Sequence, residues 1–168
     1  RRSASCAPDQ QTAPACHEGA KLRRARATGE SCGSPHLPPG VLPSQTIRTL
    51  IKDRALIGNP EIIDAQIQPA SLDLRLGTVA FRVRASFLAG AGAKVADRLR
   101  EFEMHRVDLS KGAVLEKGCV YVVPLMESLA LPDGIHAAAN AKSSTGRLDL
   151  LTRAITDGGE EFDRIPDG

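Results

Sequence analysis

Lys142, Ser143, Ser144, Thr145, Gly146 and Arg147 run consecutively, so three hydroxyls stand between two cations within one short stretch. Hydroxyls donate to phosphate oxygens, and Lys and Arg add charge-assisted hydrogen bonds to them. The small residues let backbone approach a ligand closely. A positive φ at Gly146 would turn backbone N–H groups inward as an anion nest that needs no helix. The same residue types also make routine polar turns. Taken by themselves, these residues leave both a phosphate cradle and an ordinary turn open.

Other chemistry-bearing residues form weaker patterns. Cys6, Cys16, His17, Cys32 and His36 are zinc ligands by type, but their irregular spacing matches no zinc knuckle, so no metal site is expected. His17 is followed directly by Glu18 and no Cys-x-x-Cys pair occurs, which removes the signature of zinc-hydroxide chemistry on a nucleobase. His105 and His136 sit singly in strand-like segments and read as structural or surface histidines. Asp157, Glu160, Glu161 and Asp163 read as a solvated acidic loop.

The elements that must hold the Lys142–Arg147 stretch are short and mostly extended. With 168 residues, 42% of them hydrophobic, the chain suits one packed domain plus a tail. Residues 1 to 40 hold six Lys/Arg against three acids, are rich in Pro, Ala and Ser, and show no apolar periodicity, so a disordered basic tail is expected there. The remainder, residues 41 to 168, is close to neutral, with 16 basic and 17 acidic residues, and its overall field favours no polyanion. Only four Phe and one Tyr are available for base stacking, so long nucleic acid is not an expected partner. No apolar run approaches the roughly 18 residues that span a bilayer, so no membrane is expected either, and the unpatterned cysteines fit a reducing, cytoplasmic setting.

Ser44 is placed to cap a helix with Ile47, Leu50 and Ile51 on its apolar face, ended by Gly58-Asn59-Pro60. Beyond it the period becomes two. Ser71–Gly77 and Val79–Arg84 alternate as half-buried strands, and further strand candidates are His105–Leu109, Ala113–Gly118, Cys119–Leu125, Glu127–Leu131, Gly134–Asn140 and Leu148–Ile155. Residues 85–100 fit either a loop or a short helix. An all-β sandwich or barrel with one leading helix is predicted.

Two segments in order, "IQPASLDLRLG" (Ile67–Gly77) and "LPDGIHAAANAKSSTGRLDLL" (Leu131–Leu151), resemble the dCTP deaminase branch of the dUTPase-like superfamily. The resemblance covers roughly residues 41 to 156. It implies a dUTPase-like distorted β-barrel or jelly roll of the β-clip type, a homotrimer, and nucleotide sites shared between subunits. It implies hydrolytic deamination of dCTP to dUTP and ammonia, with Mg²⁺ carried on the triphosphate and no zinc. Ser143 and Ser144 then match phosphate-contacting serines, and Arg147 matches an arginine that supports the phosphates and the reacting centre. Thr145 and Gly146 fall within the same nucleotide-binding loop. Lys142 stands where the family has arginine, which keeps the charge and loses the two-pronged contact. Asp73 matches a strand position and is expected to be structural. In "DRIPDG", Asp167 takes the place of an aspartate near the sugar.

By the same resemblance, the glutamate that moves protons is expected beyond Gly168 together with the C-terminal part of the barrel, so the 168-residue chain is expected to be inactive by itself. Two alternatives stand beside this reading. One is a dUTP pyrophosphatase or a bifunctional enzyme, and the other is a non-catalytic nucleotide-binding or oligomerisation domain.

Overall fold

Leu72 and Leu74 set the polarity of the main sheet. Alternation along a strand points them to the same face, and both are buried. The computed structural model describes residues 17–24 and 40–165. In chain order it contains β1 (His17–Arg24), α1 (Ser44–Lys52), β2 (Leu56–Gly58), β3 (Ile67–Gln68), β4 (Ser71–Arg75), β5 (Val79–Val83), α2 (Val95–Phe102), β6 (Glu103–Asp108), β7 (Val120–Val122), β8 (Glu127–Leu129), β9 (Ile135–Ala141), α3 (Ser143–Arg147) and β10 (Arg164–Ile165). The architecture is mostly strands with few short helices, as the alternation predicts.

The strands form three open sheets, ordered β10-β9-β1-β4-β3, β2-β8 and β6-β5-β7, and every pairing is antiparallel. The core lies under the five-stranded sheet, where Leu22, Leu72 and Leu74 meet Ile47 and Leu50 of α1 and Leu56 of β2. Each fully buried aliphatic side chain of this kind contributes about 1.5–3 kcal/mol.

α1 forms because Ile47 and Leu50 share one buried face while Gln45, Arg48 and Thr49 stay exposed. Ser44 is not its cap. The capping position is Pro43, whose carbonyl accepts from the N–H groups of Thr46 and Ile47. The helix stops before Gly58, because Arg54 takes a positive φ of 60° and the Ala55 N–H returns to the Leu50 carbonyl at 2.9 Å.

The largest departure from the sequence reading is β1. Residues 17–24, expected within a disordered tail, form the central strand of the five-stranded sheet, paired with β4 on one side and β9 on the other. The pattern hid it because charged residues and Gly fill the segment. The backbone ladder on both edges supplies the cohesion, and Leu22 is fully buried. The rest of residues 1–39 lies outside the described residues.

Two strand candidates are not strands. At Ala113–Gly118 the chain runs between glycines with positive φ at 112 and 118, and the Glu116 N–H donates to the Tyr121 hydroxyl instead of a ladder. At Leu148–Ile155, the N–H groups of Leu148 and Leu150 fold back on the Thr145 carbonyl, and Ala154 N–H donates to the Asp163 carboxylate. The ambiguous 85–100 region resolves into a loop followed by α2.

Candidate functional site

β3 and β4 pair in register Gln68↔Ser71, so Pro69 and Ala70 form a tight two-residue connection. Asp73 follows Ser71 by two residues and therefore shares its face. On the other side of β1, β9 ends at Ala141, and Lys142 stays extended before the chain turns into α3. Gly19 of β1 stands opposite Asp73 on one side and Asn140 on the other.

These segments enclose a cavity of about 460 Å³ lined by Gln68, Ser71, Asp73, Asn140, Ala141, Lys142, Ser143 and Ser144. That size falls among the roughly 300–1,000 Å³ pockets that hold small ligands. Across the opening, Lys142 Nζ lies 2.5 Å from Asp73 Oδ2, and Gln68 Nε2 donates to the same oxygen at 3.3 Å. The Asp73 side chain is only 11% exposed, against 38% for Lys142, so the carboxylate is the fixed member of the pair.

A buried network steadies this wall from behind. Glu127 of β8 accepts from Arg75 N–H at 2.7 Å, Arg75 Nε at 2.7 Å and Gln66 Nε2 at 2.8 Å. Gln66 Nε2 also donates to the Asp73 carbonyl at 2.9 Å, tying the backbone of β4 to β8. Burying so many polar groups is tolerable because each has a partner.

The structure divides the residues singled out by sequence. Lys142, Ser143 and Ser144 line the cavity together. Thr145 is buried at 3% exposure, and Gly146 and Arg147 are exposed on α3 and do not line the cavity. Gly146 does not take a positive φ. The expected loop nest is replaced by a helical turn, in which the N–H groups of Thr145 and Gly146 bond back to the Lys142 carbonyl. Asp167 lies outside the described residues, as do Cys6, Cys16, Cys32 and His36.

Three of the four acids of the acidic loop are engaged within the protein. Asp157 accepts from Val95 N–H, Asp163 pairs with Arg153 at 2.6 Å, and Glu161 pairs with Arg164 at 3.0 Å. Sequence reasoning did not single out Asn140 or Gln68 for the pocket. Both sat within the two segments that carry the resemblance, Gln68 in Ile67–Gly77 and Asn140 in Leu131–Leu151, without a role of their own.

Chemically the cavity offers an ammonium, three hydroxyls and two amide side chains around one carboxylate, a donor-rich lining suited to a polyoxygenated ligand. Open, antiparallel sheets with a few short helices define the class of the fold as mostly β. More narrowly, the chain belongs to the family of the 2'-deoxycytidine 5'-triphosphate deaminase (DCD) N-terminal domain, whose model matches residues 38–168.

Among solved structures, the crystal structure of 2'-deoxycytidine 5'-triphosphate deaminase from Agrobacterium tumefaciens superposes with a TM-score of 0.74 at 58% identity. That match covers 77% of this chain and 39% of the other. Among curated relatives, a protein named dCTP deaminase, dUMP-forming, from Coprothermobacter proteolyticus is 30% identical over 116 residues, 68% of this chain and 60% of its own length. One of the same name from Mycobacterium sp. (strain KMS) is 34% identical over 118 residues, covering 68% and 59%. The chain thus spans well under two thirds of these proteins.

Proposed function

We propose that this chain binds dCTP and serves its hydrolytic deamination to dUTP and ammonia, in pyrimidine deoxynucleotide metabolism. The carrying observation is that Lys142, Ser143 and Ser144 face Gln68, Ser71 and Asp73 across one cavity, in a chain of the deaminase N-terminal domain family. In this reading Lys142 and the two hydroxyls hold triphosphate oxygens. Water adds at C4 of cytosine and the C4–N4 bond breaks, releasing ammonia.

Mg²⁺ enters as part of the nucleotide substrate. Among the described residues no three His, Cys, Asp or Glu side chains converge, and the cavity lining includes a single carboxylate, Asp73. Because that carboxylate is already engaged by Lys142 and Gln68, the 168-residue chain is expected to turn dCTP over poorly. Arg147 is exposed and lies outside the cavity lining, which supports a reading in which it acts at a site shared with a neighbouring copy in a homotrimer. No helix among the described residues is long and apolar enough to cross a membrane, and a cytoplasmic setting accompanies the proposal.

Calorimetry with dCTP and Mg²⁺ tests the reading. Ser143→Ala is expected to weaken binding roughly 10- to 100-fold, the worth of a hydrogen bond to a charged group. A wild-type chain that ignores both dCTP and dUTP would refute it. The names of the curated relatives favour a second reading, in which the full reaction continues to dUMP. Assaying pyrophosphate beside ammonia separates the two, and binding without either product leaves the domain a nucleotide-binding module.

A further inference from the structure

A carboxylate inside a cavity meant for phosphates is an electrostatic mismatch, and Asp73 is such a group. It stands on β4 at 8% exposure, faces Ser143 and Ser144 across the opening, and holds Lys142 Nζ at 2.5 Å. The hydrogen-bonding groups nearest it donate to it: Lys142 and Gln68 both aim at Oδ2. The one cation in the lining, Lys142, is therefore paired by the protein's own carboxylate.

We infer that Asp73 is a specificity-determining residue, a built-in anion that occupies Lys142 until a ligand with enough contacts competes for it. This rests on the phosphate-site reading above. The ammonium has three donors and one is committed to Asp73, so a ligand oxygen must share or displace that partner while meeting the negative charge behind it. The penalty falls on every anion that enters. A small inorganic anion, which touches only the Lys142–Ser144 corner, cannot recover it. A nucleotide, with base and sugar contacts elsewhere, can. The device keeps free phosphate and polyphosphate out of a cavity that is otherwise rich in donors.

Lysine at position 142 is what makes the competition possible. Its ammonium is a compact point charge on a flexible four-carbon stem, able to swing from carboxylate to ligand, whereas the planar fork of arginine holds a carboxylate by two parallel bonds and releases it less readily.

The test is a double-mutant cycle read by calorimetry with inorganic tripolyphosphate and with dCTP, each with Mg²⁺, on the whole 168-residue chain. Asp73→Asn is isosteric and keeps a side-chain oxygen for Lys142. It is expected to tighten tripolyphosphate about tenfold and to let that anion compete with dCTP. Lys142→Gln is expected to weaken both ligands at least tenfold, because it leaves the carboxylate uncompensated. Combining the two substitutions is expected to recover affinity relative to Lys142→Gln alone, a gain that simple loss of structure cannot produce. Circular dichroism melts confirm folding, and Asp73→Ser serves should Asp73→Asn prove unstable.

If wild type binds dCTP but Asp73→Asn leaves tripolyphosphate unchanged or weaker, the gate is wrong and the phosphate site stands. If no variant binds either ligand, both fall.

Discussion

Replacing Glu127 by Gln probes the buried network that holds the wall of the cavity. The carboxylate side chain is 1% exposed and receives three donors, Arg75 N–H and Nε and the Gln66 amide. A glutamine keeps one oxygen. If its NH₂ replaces Oε2 it confronts the Arg75 N–H, and if it replaces Oε1 it confronts both Arg75 Nε and Gln66. At least one bond is lost in either orientation, and the surviving ones lose their charge assistance, which together comes to about 3 kcal/mol. Removing one partner of a buried ion pair leaves an uncompensated charge at a cost of about 3–5 kcal/mol, the same scale.

A domain of this size has only 5–15 kcal/mol of stability, so the variant should remain folded at room temperature and melt roughly 10 °C lower. Urea unfolding followed by circular dichroism gives the number directly. Arg75→Met, which strands a nearly inaccessible carboxylate, should cost at least as much. The double variant Arg75→Met/Glu127→Gln should cost clearly less than the sum. A Glu127→Gln penalty below about 1 kcal/mol, or strict additivity in the cycle, would show that the ion pair does not hold the wall as described.

Leu22→Ala tests β1: full burial at the centre of the sheet predicts a loss of about 2–5 kcal/mol in urea unfolding, and an unchanged midpoint would remove this strand from the core. Gly77→Ala should lower the urea midpoint, since a Cβ there would lie 2.8 Å from the Pro124 carbonyl oxygen, a backbone atom that cannot swing aside. Gly134→Ala forces an alanine to φ 78° in the turn before β9 and should cost about 1–2 kcal/mol without any packing change. The Asp108 carboxyl is held below its ordinary pKa chiefly by the Ser110 backbone N–H, so its contribution is present at neutral pH and lost as pH falls through the lowered value. Asp108→Asn should flatten that acid limb in melts compared between pH 3 and pH 7.

Much of the sheet was legible where side chains alternate. Ser71–Arg75 and Val79–Val83 are strands because apolar residues recur every second position, and the turns at Gly112, Gly118 and Gly134 all take positive φ. Legibility failed where backbone groups found partners that no local pattern announces. Leu148–Ile155 alternates like a strand but is drawn into the end of α3 and into the Asp163 carboxylate. β1 has no pattern at all and is a strand because two neighbouring edges accept it. Within the site, the serines and Lys142 were visible as a cluster. Asp73 was visible only as part of a strand, because nothing in its neighbourhood of sequence reveals a lysine 69 positions away.

The reach of Lys142 follows from where β1 lies. Strands in a sheet are spaced about 4.8 Å apart, so β4 and β9, with β1 between them, stand roughly 10 Å apart. A four-carbon stem carrying an ammonium extends roughly 6 Å, and a carboxylate on the facing strand covers most of the remainder. The Asp73–Lys142 contact at 2.5 Å lies within that reach, and a serine or asparagine at position 142 would fall short of it. Gly19 lies at the register position between Asp73 and Asn140, two residues before Lys142. The spacing strand comes from residues 17–24, outside the 38–168 stretch that the family model matches, while both members of the ion pair lie inside it. Charge in the cavity is therefore set by family positions, but the distance over which the charges meet is set by whichever strand stands between β4 and β9. A direct β4–β9 pairing would halve that distance and crowd Lys142 against the carboxylate.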